Sequence, residues 1–453
     1  MKYIADLHIH SKYSRACSKE LVPEKIDLWC RIKGIDIAAT GDFTHPKWFA
    51  ELAEKLEPAE GEARQGRPAE TGLYRLKKEF QADHPQFQEK KLRDVRFILG
   101  TELSCIYKKG YKTRRVHHLV FAPSLEVVRK INGELEKRDF NLKSDGRPIL
   151  GIDSENLLKL LLEIDERIVL IPAHAWTPWF AIFGSKSGFD SIEECFGNLA
   201  KNIFAIETGL SSDPPMNWKN SWLDSVALIS NSDAHSLQVL GREANIFEGE
   251  KISYNLLFEA IKKSSPSARA AKRNKAPLQL VKTVEFYPDE GRYHYDGHAN
   301  CKIVLHPREA KKFKNICPIC GKPLTLGVLH RVEDLADREE GSLSKNAAGF
   351  IHSVELEKII AEAVGVQGRR SKAVAKHYWN LINKFRGELP LLLDAEEKEL
   401  NQTAPANIAE AIRRVRAQEL QISPGYDGLY GAIKIFKDGE TTAGKKIKQS
   451  ALL

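Results

Sequence analysis

The sequence predicts an α/β protein: a seven-stranded β/α barrel over residues 1–265, then a small zinc-binding module and a mainly helical C-terminal domain. Three observations carry this expectation. Seven apolar, β-branched runs alternate with helix-like stretches up to residue 265, the pattern of a parallel sheet closed on itself. Two Cys/His half-sites follow between His298 and Cys320. From Ser353 onward the apolar spacing is helical. At 453 residues the chain has room for about three domains. Its 42% hydrophobic and 29% charged residues are a soluble globular composition and exclude extensive disorder. No apolar run is long enough to span a membrane, and Asp6, His8 and His10 interrupt what would be a signal peptide's apolar core. Seven cysteines with one CxxC pair do not make a secreted disulfide framework, so the expectation is a cytoplasmic protein.

The strand-like runs are 2–8, 35–41, 95–103, 117–122, 168–173, 203–208 and 226–231. Helix-like stretches are Pro23–Lys33, Ser124–Lys137, Ser154–Ile164 and, after the last strand, Ser253–Lys263. Residues 58–70 have no apolar periodicity and read as an exposed excursion. The span 266–284 reads as a basic linker, 285–340 as the zinc-binding module and 341–440 as the helical domain. Within the last, helices are expected over 354–364, 372–385 and 408–420, then a glycine-rich turn and short strand over 423–436. Residues 441–453 read as a disordered tail. Lys+Arg and Asp+Glu number 38 each up to residue 265, whereas the remainder holds 31 against 23. The whole excess of +8 therefore sits on the C-terminal part, which suits a polyanionic partner.

The ends of the seven strands carry the chemistry: DLHIH, TGDF, GTEL, HHLV, PAHAW, ET and SNSDAH. Alternation puts Asp6, His8 and His10 on one face of the first strand. The C-terminal rim of a parallel barrel would gather His8, His10, Asp42, Glu102, His118, His174, Asp233 and His235 around one cavity. Only one of His117 and His118 can point inward from a strand, and His117 is the alternative. Imidazole and carboxylate ligands suit Zn, Mn and Fe. Eight such groups are too many for one tetrahedral ion and suit two or three divalent ions, Zn, Mn or Mg, with Glu102 or Asp233 bridging. Such a site turns water into hydroxide and clamps the oxygens of a phosphoester. Asp233, Glu102 and His10 are the residues expected to matter most for catalysis.

This motif series resembles the PHP (polymerase and histidinol phosphatase) superfamily over about the first 265 residues. The resemblance implies a distorted seven-stranded β/α barrel and ligand roles for the eight residues above. Two departures stand out. TGDF puts Asp42 where the family commonly has histidine, and Ser11–Ser14 offers no further histidine after the first pair.

Several residues near the rim could contact nucleic acid. Trp176, Trp179, Phe180 and Phe183 follow His174 and could stack on an extruded base, and Ser185 and Lys186 could meet phosphate. Arg114 and Arg115, in the basic stretch 108–115, and Asn231 near Asp233 are further candidates. Glu207 is read as supporting rather than ligating. In the cysteine cluster, His298, Cys301, Cys317 and Cys320 have the spacing of a structural zinc site, with His306 and His294 as competitors for the histidine position. Cys17, Cys30, Cys105 and Cys195 read as small hydrophobes.

GHANC, CPICGKPLTLGVLHRVEDLADR, ISPGYDGLYGAIKIF, HAWTPWFAIFGSKSGFDSIEECF and ETGLSSDPPMNW together resemble the endonuclease Q family across most of the chain. That resemblance implies a prokaryotic, nucleoid-associated DNA repair nuclease. It would cut the phosphodiester 5′ to uracil, hypoxanthine, xanthine or abasic sites in double- or single-stranded DNA, leaving a 3′-hydroxyl and a 5′-phosphate. QSALL (449–453) resembles short motifs that dock on sliding clamps, without the usual aromatic. A small-molecule phosphatase and a non-catalytic DNA-binding adaptor are the competing readings. The zinc-binding and basic appendage argues against the first, and the ligand set against the second.

Overall fold

The computed structural model describes residues 1–60, 70–88, 93–270, 277–339, 341, 346–437 and 440. The strands among the described residues are β1 (Lys2–Asp6), β2 (Ile37–Ala39), β3 (Leu56–Glu60), β4 (Glu70–Leu76), β5 (Arg96–Lys109), β6 (Lys112–Ala122), β7 (Ile149–Leu150), β8 (Val169–Pro172), β9 (Ala205–Glu207), β10 (Ala227–Ile229), β11 (Ala244–Gly249), β12 (Leu278–Glu285), β13 (Asp296–His298), β14 (Ile303–Leu305), β15 (Gly349–His352), β16 (Gln421–Ser423) and β17 (Ala432–Lys434), the last two an antiparallel pair. Each of the seven expected runs overlaps one of them.

The sheet is mixed, not parallel as expected. β1, β2 and β5 run parallel, and β9 and β10 form a separate parallel pair. β6 is antiparallel to β5 and β8 to β6, while β11 sits antiparallel between β1 and β12. The reason is local: only Gly110 and Tyr111 separate β5 from β6, and a link that short can only return the chain as a hairpin. The basic stretch 108–115 is therefore this hairpin's tip and the start of its second strand. Residues 58–60 and 70 belong to the β3–β4 pair; 61–69 lie outside the described residues.

Of the expected linker, Pro266–Ala270 is helical and Leu278–Glu285 is β12, paired with β11 and, in parallel, with β15. Residues 271–276 and the tail 441–453, with its clamp-like motif, lie outside the described residues. Helices occupy Pro23–Lys33, Leu125–Glu136, Ser154–Ile164, Tyr254–Lys262, Leu356–Ala363, Lys372–Phe385 and Ala406–Ala417. Several open on a side-chain cap that satisfies a free first-turn amide: Ser124 accepts from Val127, Ser253 from Leu256 and Ser371 from Val374. One apolar core runs from Ile4 and Ile37 through Ile206 and Ile229 to Leu280. A second joins Leu28 and Ile32 to the C-terminal helices through Ile360, Leu381 and Ile412. Among the described residues no helix is long and apolar enough to cross a membrane.

Candidate metal centre

β1 delivers the first donors. Beyond Asp6 the chain stays extended, with Ile9 bridging to Ala234, so His8 and His10 face the same way while Leu7 and Ile9 enter the core. Asp6 accepts from the amides of Ser232 (3.1 Å) and Gly241 (2.9 Å) and so fixes the turn that carries Asp233. Burial raises the Asp6 carboxyl to about 6.

His8, His10, Glu102 and Asp233 converge. His10 Nε2 lies 3.0 Å from Asp233 Oδ1 and 3.3 Å from Glu102 Oε2; His8 Nε2 lies 3.5 and 3.6 Å from the same two carboxylates. Glu102 also belongs to a second group, with His117 Nδ1 and His174 Nε2 at 2.6 and 3.0 Å from its other oxygen. Donors about 2.1 Å from one tetrahedral ion stand roughly 3.4 Å apart, so both groups have the spacing of a ligand shell. The decisive atom is His8 Nε2, which is buried without a hydrogen-bond partner. A donor facing two carboxylates at more than hydrogen-bonding distance fits a divalent cation, with Glu102 shared between two such positions.

Two carboxylates stand behind the histidines. Glu207 Oε1 is 3.0 Å from His8 Nδ1 and accepts from Asn231 Nδ2, and Glu207 Oε2 accepts from the His174 amide. Asp42 Oδ1 is 3.0 Å from His10 Nδ1, while Asp42 Oδ2 accepts from the Ser11 amide and the Ser11 and Ser14 hydroxyls. Such pairs fix the imidazole tautomer and leave Nε2 as the atom that would face a bound cation. Asp42, expected as a ligand, is thus turned away from the shared space; its oxygens are taken by His10, Ser11 and Ser14.

Burial works against charge on His8 and His10, but the surrounding carboxylates hold both imidazoles well above their ordinary range. Burial likewise opposes ionised Glu102 and Asp233, and is outweighed: His117, Arg147 and His8 hold Glu102 far down, and His8 and His10 do so for Asp233. Asp42, His174 and Asp233 have φ of +48°, +30° and +46°, a region that side chains with a Cβ rarely occupy and that clusters at functional sites.

Other expected residues lie elsewhere. His118 points to the opposite side of β6, with Nε2 2.8 Å from the Ser154 hydroxyl and its ring against Phe196; His117 takes the inward place. Burial pushes His118 down to about 3 and His117 to about 4. His235 sits at the mouth, its ring 4.7 Å from that of His10 and outside both groups. Trp176 is fully buried, donating to Asn217 Oδ1 and packing on buried Phe183, so it has no face for a base. Asn231 is buried and bonds the Leu7 amide and Glu207. Arg114 is buried over the Phe189 ring and bonds the Gly188 carbonyl and Glu194. Trp179, Ser185 and Lys186 are exposed, Phe180 packs on His117, and Arg115 lies 6.0 Å over Trp179.

Sequence reasoning missed Arg147, whose guanidinium donates to Glu102 Oε2 at 2.9 Å. Its one signal is the preceding glycine: a Cβ at Gly146 would meet Asp42 Oδ2 at 2.2 Å and Ser14 Oγ at 2.3 Å.

Away from this centre, His298, Cys301, Cys317 and Cys320 bring their ligand atoms within 4.8 Å of one another. His306 instead caps the helix Pro307–Lys312, and His294 faces Asp289.

The C-terminal residues 355–419 match the family described as the MJ0043 C-terminal domain. An uncharacterized Methanocaldococcus jannaschii protein, MJ0043, is 32% identical over 328 residues, 67% of this chain but 39% of that protein. The chain thus spans about two fifths of the length of that relative. The lesion-specific endonuclease PfuEndoQ of Pyrococcus furiosus has a crystal structure that superposes with a TM-score of 0.78 at 29% identity, over 99% of this chain and 98% of the other. Over nearly its whole length the chain is thus similar to endonuclease Q. An endonuclease Q complex with a 27-mer duplex carrying an abasic lesion at the active site superposes as well, with a TM-score of 0.76, 29% identity and 99% coverage of both chains. The likeness to endonuclease Q runs through the hairpin, the Cys/His cluster and the C-terminal helices alike.

Proposed function

We propose that this chain is a metal-dependent DNA repair endonuclease of the endonuclease Q family. It hydrolyses the phosphodiester 5′ to deaminated bases and abasic sites and leaves a 3′-hydroxyl and a 5′-phosphate. The observation that carries the reading is the pair of donor groups sharing Glu102 around the unsatisfied Nε2 of His8. The architecture is read as a distorted PHP-type barrel with a zinc-binding module and a helical C-terminal domain. Divalent ions held by His8, His10, Glu102 and Asp233, and by Glu102, His117 and His174, would supply a hydroxide nucleophile and neutralise charge on the phosphate.

The chain's own residues do the rest. Glu207 and Asp42 keep the protons of His8 and His10 on Nδ1. Arg147 brings a fixed positive charge beside Glu102, where an in-line phosphate would pass. Trp179 presents an open ring at the rim, and Arg115, Ser185 and Lys186 present donors for the backbone of DNA. His298, Cys301, Cys317 and Cys320 would hold a structural zinc.

The test is a 5′-labelled duplex with one deoxyinosine, deoxyuridine or abasic site beside an undamaged control, with Zn, Mn or Mg. A single nick 5′ to the lesion, absent with Asp233→Asn although DNA still binds, supports the reading. Equal cutting of the control removes lesion recognition; no cutting with any of the metals removes the reading.

A further inference from the structure

The segment Trp176–Phe189 is bound into a compact unit. Phe183 N donates to the Ala175 carbonyl, Lys186 N to Pro178, Gly188 N to Gly184 and Phe189 N to Ile182. Gly184 and Gly188 leave no space for a side chain, since a Cβ at either would lie 2.4 Å from backbone. Trp176, Phe183 and Phe189 are buried pegs, and between them Trp179, Ser185 and Lys186 stay in solvent. His117 N donates to the Phe180 carbonyl at 3.0 Å, so the segment also touches the candidate metal centre.

Two arginines from distant parts of the chain hold this unit. Arg114, on β6, bonds the Gly188 carbonyl. Arg331 comes from the helix Val328–Leu335, more than 140 residues further along the chain. Its Nε donates to the Phe183 carbonyl and its Nη2 to the Phe189 carbonyl, each at 3.0 Å, and Nη2 also pairs with Asp190. The same stretch docks on the segment after β9: Glu333 pairs with Lys219, Asp337 accepts from the Ser221 amide, and Arg338 pairs with Asp224. A guanidinium presents several donors in a rigid fork and can fix two carbonyls at once; an ammonium is a point charge that cannot match that geometry.

We propose that Arg331 is a positioning residue that sets the aromatic loop Trp179–Lys186 against the rim and thereby determines how tightly a lesion is held, without taking part in the hydrolysis. This deepens the nuclease reading and rests on it for its substrate. It makes the helix after the Cys/His cluster part of the substrate-binding face, although it touches neither candidate metal group.

The experiment uses the full-length protein and Arg331→Met and Arg331→Lys, with two readouts. Amide hydrogen exchange over residues 177–188 reads the loop itself and needs no nuclease activity. In Arg331→Met, exchange there should quicken at least tenfold while β5 and β6 stay protected; Arg331→Lys should be intermediate. Steady-state nicking of a deoxyinosine duplex should show KM raised about tenfold in Arg331→Met, kcat within twofold, and hydrolysis of bis(p-nitrophenyl) phosphate unchanged. Unchanged exchange in the loop overturns the proposal, as does a fall in kcat and in bis(p-nitrophenyl) phosphate hydrolysis at constant KM. If the wild type cuts no lesion, the nuclease reading fails, and the exchange result still decides whether Arg331 positions the loop.

Discussion

His117 and His118 are neighbours in sequence and opposites in environment, one 2.6 Å from Glu102 and the other 2.8 Å from a serine hydroxyl behind the strand. That separates two formally equal substitutions. His117→Asn should cut nicking by about a hundredfold or more, since even supporting residues of metal sites are worth 10–100-fold. His118→Asn should leave kcat within a few-fold and cost about 1 kcal/mol of stability through the lost bond to the Ser154 hydroxyl, which keeps Tyr107 OH as a partner. Nicking rates beside thermal melts decide it, and a His118→Asn protein inactive at unchanged stability would contradict the geometry. Glu102→Gln should lower bound metal at both groups together, read as ions per chain after dialysis, because one carboxylate serves both; loss of only part of the complement would count against a shared ligand. At this scale the sequence was legible where donors alternate on a strand, as in His8 and His10. It was not legible where register decides facing, as at His117. Nor could it show where a buried partner claims the group, as Asn217 claims Trp176 and serines claim Asp42.

Among the elements, the seven strand runs were visible as apolar, β-branched segments, although no helix separates β5 from β6. β12 was not. Its register against β11 shifts where Ile246 faces Lys282 and Phe247 faces Leu280, so Val281 is extra and the alternation that marks a strand is broken. Adjacent basic residues completed the appearance of a linker. β12 ends in Glu285, a buried carboxyl that accepts from Thr208 (3.0 Å), Ser230 (3.1 Å) and Thr283. Burial raises it to about 7, more than these hydroxyls and His352 lower it, and burial with Glu285 nearby raises Glu243 as well. A carboxyl with a raised folded pKa keeps its proton longer in the folded state. Its contribution is therefore full below the unfolded pKa of about 4.3 and is lost as pH climbs through about 7. Metal-free protein should accordingly melt lower as pH rises from 5 to 8, and Glu285→Gln should flatten that slope. Parallel slopes in the two proteins would remove Glu285 as the cause.

For the whole molecule, the change in composition near residue 265 suggests a catalytic part with an appendage, but packing ties the two together, and one helix serves both cores. Pro23–Lys33 gives Ile26 and Cys30 to the first core, and Leu28 and Ile32 to the second. A helix apolar on two faces is meant to be buried on both, yet nothing in its sequence says which partner covers the second. At its end, Lys33 Nζ lies 2.6 Å from Glu388 Oε2, both side chains buried, and Glu388 also accepts from Tyr378 OH and the Leu356 amide. Gly34 follows with φ +83° and packs so closely on Pro390 that a Cβ would lie 2.3 Å from that ring. Removing one partner of a buried pair leaves the other charge stranded, at about 3–5 kcal/mol, whereas replacing both with apolar groups of similar size is often neutral. Glu388→Leu should therefore destabilise the protein by at least about that amount in urea unfolding, and Lys33→Met with Glu388→Leu should recover only the part due to the stranded ammonium, because Tyr378 OH and the Leu356 amide still lose their acceptor. Because the pair bridges the two cores, the single variant should also split the transition in two, the C-terminal helices melting first by exchange while β1 and β5 stay protected. A single coincident transition at undiminished midpoint would mean the pair is incidental to the coupling of the two cores.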